Sequence, residues 1–245
     1  MSAAATLPTM PITMDRHHDP DMVMLPAGAF SMGGIAEDKF VSAVEMPRHE
    51  VIFKKPFFIA RAPVTQRQWS DIMGKAHGQH PDCPITQVTF TEVMVYLRKL
   101  QAKFGKAYRL PSEAEWEYTC RAGSSSVFSH SHNITVCDAN FLYDEHGAEI
   151  GVGRTTPVGQ YPANAHGVFD LLGNVCEWTA DIWHPNYHHA PCDGTAWTAG
   201  GKSSFRTIRG GAWDHLPRVL RASWRDWAPE QARWDNLGFR IALSH

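Results

Sequence analysis

Two carboxylates stand in an otherwise apolar stretch of the chain, Gly167–Trp178, whose sequence is GVFDLLGNVCEW. Asp170 and Glu177 are of a type almost never fully buried without a partner. Gly173 lies between them, where the backbone can turn sharply or present a carbonyl group inward. This combination favours a hard cation held by side-chain and main-chain oxygens, most naturally Ca²⁺. The alternative is that Asp170 caps a turn and Glu177 pairs with a surface arginine.

Tryptophan and arginine are concentrated in the last third of the chain, where Asp and Glu residues alternate with them. Planar arginine groups stack on tryptophan and pair with carboxylates, so one interpretation is that they replace part of an aliphatic core. The other is a recognition surface for a polar ligand, a peptide or a partner protein, because Trp and Arg are enriched in binding hot spots. The candidate ligand-binding residues are Trp213, Asp214, His215, Arg218, Arg221, Trp224, Arg225 and Trp234.

The composition of the 245 residues is that of a soluble globular protein, with 43% hydrophobic and 20% charged residues. A net charge of −2 gives no sign of a nucleic-acid or membrane partner. The five cysteines include no CxxC pair, so a zinc or redox motif is unsupported and a reducing compartment is favoured. The sequence has neither the apolar core of a signal peptide nor the ~18 apolar residues of a membrane span. We therefore expect a cytoplasmic protein with a disordered tail over residues 1–21 and one domain over residues 22–245.

The elements that must position these residues are short. Apolar alternation predicts strands in residues 22–34 and 49–61, and capping residues predict helices that begin after Thr65, Thr89 and Ser112. Glycines at positions 74, 105 and 123 are the predicted helix ends. Residues 124–166 are rich in Ser, Asn, His, Gly and Pro, and such a long irregular loop needs something to hold it in place, for instance a bound cation. The segments TIRGGAW and LGFRIAL read as strands, so the sequence predicts one α+β domain with low regular secondary structure.

Six motifs occur in a fixed order along the chain: MLPAGAFSMGG, PVTQRQW, RLPSEAEWEY, GVFDLLGNVCEW, RGGAW and LGFRIAL. This set resembles the formylglycine-generating enzyme family, also called sulfatase-modifying factor domains, over roughly residues 23–243. The resemblance implies the α+β formylglycine-generating-enzyme fold, which is C-type-lectin-like, with bound calcium.

The resemblance also implies the ligands of one structural Ca²⁺. These are the Asp170 side chain, the carbonyl groups of Gly173 and Val175, and the Glu177 side chain. A second family site near residues 138–141 is not carried over, because the acidic ligand expected downstream is missing from GVGRTTPVG.

The chain departs from the family at its catalytic centre. The formylglycine-generating enzyme oxidises a substrate cysteine with O₂, using copper(I) held by two cysteines shortly after the Arg-Gly-Gly strand. The segment Arg209–Arg225 contains no cysteine, and Asp214 and His215 stand roughly where the first would be. Neither replaces a thiolate pair, which Cu(I) prefers as a soft ion. We therefore predict no copper and no formylglycine production.

Two functions stay open on the sequence. The first is a binding or accessory/maturation module that acts through the Trp/Arg-rich surface on an unknown protein, peptide or small polar ligand. The alternative is an oxygen-dependent metalloenzyme-type oxidoreductase, as in the sulfoxide-synthase and siderophore-maturation members that the resemblance suggests. A catalytic metal would have to use His184, His188, His189 or His215, although histidine-rich loops are more often solvated.

Overall fold

A computed structural model describes residues 20–129 and 131–244 of the chain. The predicted disordered tail therefore lies outside the described residues, apart from Pro20 and Asp21. The helices are α1 (Gln66–Met73), α2 (Phe90–Phe104) and α3 (Glu113–Arg121). The strands are β1 (Met22–Leu25), β2 (Gly28–Met32), β3 (His49–Phe53), β4 (Phe57–Ala60), β5 (Tyr108–Arg109), β6 (Cys176–Trp183), β7 (Lys202–Arg209), β8 (Arg225–Pro229), β9 (Leu237–Gly238) and β10 (Ala242–Ser244).

These strands form three small sheets. One has the order β1-β4-β10-β5, a second pairs β2 with β3, and the third has the order β8-β7-β6-β9. In the third sheet β6 runs parallel to β9 and antiparallel to β7. The predicted α+β class is confirmed. No helix among the described residues is both long enough and apolar enough to cross a membrane.

The helix starts agree with the prediction. Thr65, Thr89 and Ser112 are the N-caps, and each side chain accepts a hydrogen bond from the backbone N–H three residues later. The predicted end of α3 is one residue late, because Ala122 adopts the left-handed conformation with φ of 45° and ends the helix before Gly123.

Two predicted strands differ from the structure. The TIRGGAW strand ends at Arg209, because the next two residues turn away from the sheet. The LGFRIAL segment is split between β9 and β10, which belong to different sheets. The segment predicted as irregular is confirmed. Between α3 and β6 the described residues form only isolated bridges, one of which joins Asn140 to Gly173.

Five arginines are buried among the described residues, and four of them contact carboxylate oxygens at 2.5 to 2.7 Å. The pairs are Arg209 with Glu117, Arg221 with Asp38 and Glu45, Arg225 with Glu113, and Arg240 with Glu177. Arg225 also lies over the rings of Trp183 and Tyr187, at 4.6 and 4.2 Å from their centroids. For these side chains the core interpretation holds: ion pairs and arginine–aromatic stacks take the place of aliphatic packing.

Candidate ligand-binding site

A turn of two glycines carries the chain out of β7. Gly210 and Gly211 have φ of 97° and 67°, a region that favours glycine. A Cβ at Gly211 would lie 2.8 Å from the carbonyl oxygen of Val219, and one at Gly210 would lie 3.0 Å from that of Leu171. Both positions therefore require glycine, and the turn they form presents the following residues at the end of the sheet.

His215 closes this turn with its own ring. Its Nδ1 accepts a hydrogen bond from the Ala212 N–H at 3.1 Å, so the proton of the neutral ring is on Nε2. That nitrogen lies 3.8 Å from Oδ1 of Asp214. The imidazole and the Trp224 ring meet edge to face, with their centroids 6.0 Å apart. Burial lowers the pKa of His215, and the carboxylates of Asp214 and Asp226 oppose the shift only in part. The imidazole is therefore neutral at pH 7.

Asp214 is fixed from the turn that leads into β9. The Nδ2 group of Asn236 donates to both of its carboxylate oxygens at 3.0 Å. The Asn236 carbonyl oxygen in turn accepts from the Cys176 N–H at 2.8 Å, and the Cys176 thiol lies within electrostatic reach of Asp214 and Asp226. Burial raises the pKa of Cys176 well above its usual value, and Asp214 and Asp226 add to this, so the sulfur stays protonated. Partial burial raises the pKa of Asp226, which is still exposed to solvent on one side.

We call this group the His215 cluster, which comprises Cys176, Asp214, His215, Trp224, Asp226 and Asn236. Sequence reasoning missed Cys176, Asp226 and Asn236 as members. They lie in or beside β6, β8 and β9, and only the strand order β8-β7-β6-β9 brings these strands to one place.

The other members of the predicted ligand-binding surface lie elsewhere. Arg221 and Arg225 are in the core ion pairs and are not on the surface. Arg218 is exposed, 3.6 Å from Glu145 and over the ring of Phe40. Trp213 is half-buried, and its backbone N–H donates to the carbonyl of Asn174. Trp234 is 42% exposed, and its carbonyl accepts from the Gln87 N–H.

The predicted calcium ligand Asp170 has one free oxygen. Its Oδ2 accepts from the Gly159 N–H at 2.6 Å, whereas its Oδ1 is buried without a hydrogen-bond partner. Burial raises the pKa of Asp170 to about 6, and the neighbouring Glu177 carboxylate contributes to the shift. A buried, unpaired carboxylate oxygen is the kind of group that a cation would satisfy.

The other side-chain ligand of the prediction, Glu177, is already paired. Arg240 donates to both of its oxygens at 2.6 Å, and the Trp116 Nε1–H donates at 2.8 Å. Glu177 therefore pairs with an arginine, as the alternative to the calcium site predicts, but this arginine lies in the core and not on the surface. The Gly173 carbonyl accepts from the Val175 N–H at 2.8 Å. Asp170 therefore fits a calcium ion better than Glu177 does.

The comparisons with known proteins agree with this fold. The family described as the sulfatase-modifying factor enzyme 1-like domain matches residues 9–245. The chain belongs to this family. Solved relatives include PvdO from Pseudomonas aeruginosa, which shares 36% identity at a TM-score of 0.83 and covers 92% of this chain and 95% of its own. Treponema denticola variable protein 1, at 21% identity and a TM-score of 0.77, shares the fold, covering 91% of this chain and 95% of its own.

Curated relatives of this sulfatase-modifying factor domain are longer proteins. The formylglycine-generating enzyme of Mycobacterium tuberculosis is 30% identical over 202 residues, which cover 71% of this chain and 65% of that protein. The hercynine oxygenase of Mycolicibacterium smegmatis is 29% identical, with 90% of this chain and 60% of that protein covered. The chain spans 45% of the Bos taurus and 59% of the Mus musculus formylglycine-generating enzymes.

The donor atoms in this sulfatase-modifying factor domain do not fit the copper(I) of the formylglycine-generating enzymes. Two thiolates are the donors that Cu(I) prefers, and the His215 cluster contains one thiol, that of Cys176. The remaining cluster donors are the Asp214 and Asp226 carboxylates and His215, whose Nδ1 already accepts a hydrogen bond. No mechanistic step through copper is therefore assigned to this chain.

The histidine loop, which carries His184, His188 and His189, does not form a metal site either. Both ring nitrogens of His184 lie against carbonyl oxygens, of Ile182 at 2.9 Å and Ala199 at 3.1 Å, and the ring stacks on Trp197 at 3.5 Å. His188 and His189 are exposed. Within residues 20–129 and 131–244, no three His, Cys, Asp or Glu side chains are placed to hold one metal ion.

Proposed function

We propose that this protein is a binding or accessory/maturation module of the sulfatase-modifying factor family that does not generate formylglycine. The observation that carries the proposal is the His215 cluster, where Asp214 and a neutral His215 follow the glycine turn and a lone protonated thiol lies beneath them. Thiol oxidation through Cu(I) needs a thiolate pair at this place. We also infer a cytoplasmic location, because all five cysteines are free, which suits a reducing compartment.

The charge of the cluster indicates what it binds. Arg221 and Arg225 are turned into the core, so the carboxylates of Asp214 and Asp226 face the site without these two cations. Carboxylates beside the indole of Trp224 suit an ammonium or guanidinium group, which gains charge-assisted hydrogen bonds and a cation–π contact. The ligand class we propose is thus a peptide, a protein segment or a small polar molecule that carries a positive charge.

Binding of L-argininamide, followed by isothermal titration calorimetry, tests this ligand class. We expect Asp226→Asn to weaken binding about tenfold, because a hydrogen bond to a charged group is worth ~1.5–3 kcal/mol. Asp71→Asn, a change of the same charge on the exposed side of α1, is the control and should have no effect.

Affinity should also fall between pH 7.5 and pH 5, since His215 gains a proton below its lowered pKa and Asp226 begins to gain one below its raised pKa. Equal affinity for wild type and Asp226→Asn would rule out the cluster as the cation site.

The alternative, an oxygen-dependent oxidoreductase, rests on the likeness to hercynine oxygenase. The engagement of both His184 nitrogens with carbonyl oxygens gives this alternative no support from the histidine loop.

We further propose that one structural Ca²⁺ binds at Asp170. Its buried, unpaired Oδ1 supports this, and Asp170 is the side chain whose replacement should remove the ion. At calcium about a hundredfold above its Kd, the melting temperature should rise by ~5–10 °C. EDTA should reverse the rise, and Asp170→Asn should not show it. Elemental analysis of the purified protein should find about one equivalent of calcium. A melting temperature that is unchanged by EDTA, together with no retained calcium, would exclude the site.

A further inference from the structure

A cavity on another part of the molecule shares no residue with the His215 cluster. It has a volume of about 820 Å³ and lies between the β3–β4 turn, the first turns of α2, the segment that joins β5 to α3, and the loop over residues 193–198. This volume lies within the range of pockets that hold small organic ligands, ~300–1,000 Å³.

The wall of this cavity is largely apolar. It is formed by Phe53, Phe57, Phe90, Met94 and Leu110. Phe53 and Phe57 are themselves almost fully buried, and their rings lie 5.2 Å apart, so this part of the wall is fixed by the core behind it. Met94 is half-buried and unbranched, which suits an adaptable contact with a ligand.

The rim of the same cavity carries an excess of positive charge. Arg109 is neutralised by Glu115 at 2.6 Å, and Glu115 is itself in the lining. Arg206 stacks on Phe90 at 4.3 Å and pairs with Glu230, which lies outside the lining. These two arginines therefore add no unpaired charge.

The lysines of the β3–β4 turn supply the excess. Lys54 and Lys55 are both exposed at the rim. Asp193, which also lines the cavity, interacts electrostatically with Lys54. Lys55 has no carboxylate partner among the described residues, so one ammonium group at the mouth is left unmatched, in a chain whose net charge is −2.

We propose that this cavity binds an amphipathic anion, an apolar body with one carboxylate or sulfonate group. The apolar body would lie against Phe57, Phe90 and Met94, and the anionic group would meet Lys54 and Lys55 at the mouth. This ligand is opposite in charge to the one proposed for the His215 cluster, so the two sites can be tested separately.

The test uses two fluorescent probes of similar apolar body. The anionic probe is 8-anilinonaphthalene-1-sulfonate and the uncharged one is N-phenyl-1-naphthylamine, each titrated into the folded 245-residue chain. The double variant Lys54→Glu/Lys55→Glu should weaken binding of the sulfonate by about tenfold or more, because a favourable charge becomes a repulsive one. The affinity of the double variant for the uncharged probe should stay within about twofold of the wild-type value. The control is Lys75→Glu/Lys99→Glu, which makes the same change of net charge at exposed positions outside the lining.

A second variant tests the apolar wall. Met94→Trp replaces the methionine side chain by a larger, aromatic one at the cavity wall and should weaken the binding of both probes. Thermal melting verifies that the fold is intact.

Competition then distinguishes two sources of the ligand, since dodecanoate represents an acyl chain and indole-3-acetate an aromatic acid. Displacement of the sulfonate probe by either supports the proposal and tells which body fits. Displacement by neither would overturn it, as would a sulfonate affinity that is the same in the Lys54→Glu/Lys55→Glu variant.

Discussion

Replacing Arg209 by methionine is expected to lower the free energy of unfolding by about 3–5 kcal/mol, the cost of breaking a buried ion pair. The Arg209 guanidinium contacts the Glu117 carboxylate and also donates to the carbonyl oxygens of Ala222, Ser223 and Trp224. Methionine keeps only the apolar stem of the side chain, so these carbonyl groups lose their donor. Among the described residues, Glu117 then keeps the Arg121 guanidinium and the Gly33 N–H. Urea unfolding followed by tryptophan fluorescence measures the difference.

The matched control for that variant is Arg233→Met. Arg233 also pairs with a carboxylate, that of Glu92, at 2.8 Å, but its side chain is 53% exposed. Exposed pairs contribute ~0–1 kcal/mol, so this variant should stay within about 1 kcal/mol of wild type. Equal losses of unfolding free energy in the two variants would mean that burial does not determine how much the Arg209 pair contributes to stability.

Replacing Gly173 by alanine is expected to cost about 3 kcal/mol or more. Gly173 has φ of 77°, which costs an L-residue ~1–2 kcal/mol. Its added Cβ would also lie 2.3 Å from the carbonyl oxygen of Asn140, and overpacking of this kind costs a further ~1–3 kcal/mol. The same turn donates a hydrogen bond from the Gly173 N–H to Gly210, so the strain would reach the glycine turn that presents His215. The unfolding free energy of the variant measures this cost.

Gly74→Ala separates the two causes. Gly74 ends α1 with a similar φ of 73°, but a Cβ there would meet nothing within 4 Å. We expect this variant to lose only ~1 kcal/mol, since it carries the backbone strain alone. A loss at Gly173 no larger than that at Gly74 would contradict the close approach of Asn140.

The parts of the fold that could be predicted from the sequence are those that depend on local interactions. Thr65, Thr89 and Ser112 cap helices through bonds to a residue three positions away, so the signal lies within one turn. The division of LGFRIAL between two sheets could not be predicted, because it is decided by strand partners that are distant in the chain.

The candidate site was predictable in part for the same reason. Asp214 and His215 follow a glycine pair visible in the sequence, and the structure brings them together. Arg221 and Arg225 could not be told from surface residues, because their partners Glu45 and Glu113 lie 176 and 112 positions away. The Trp and Arg residues of the last third of the chain are compatible with both a core and a recognition surface. Only the tertiary structure shows which of them are buried and which are exposed.

A formylglycine assay with the purified 245-residue chain tests whether this domain lacks the activity. The protein is loaded with Cu(I) and incubated in air with a Cys-x-Pro-x-Arg peptide, and mass spectrometry then looks for conversion of the cysteine to the aldehyde. We expect an unmodified peptide, since Cys176 is the one thiol of the His215 cluster and Cu(I) prefers a thiolate pair. Catalytic conversion of the peptide would show that the His215 cluster supports copper chemistry after all, and would contradict the proposed function.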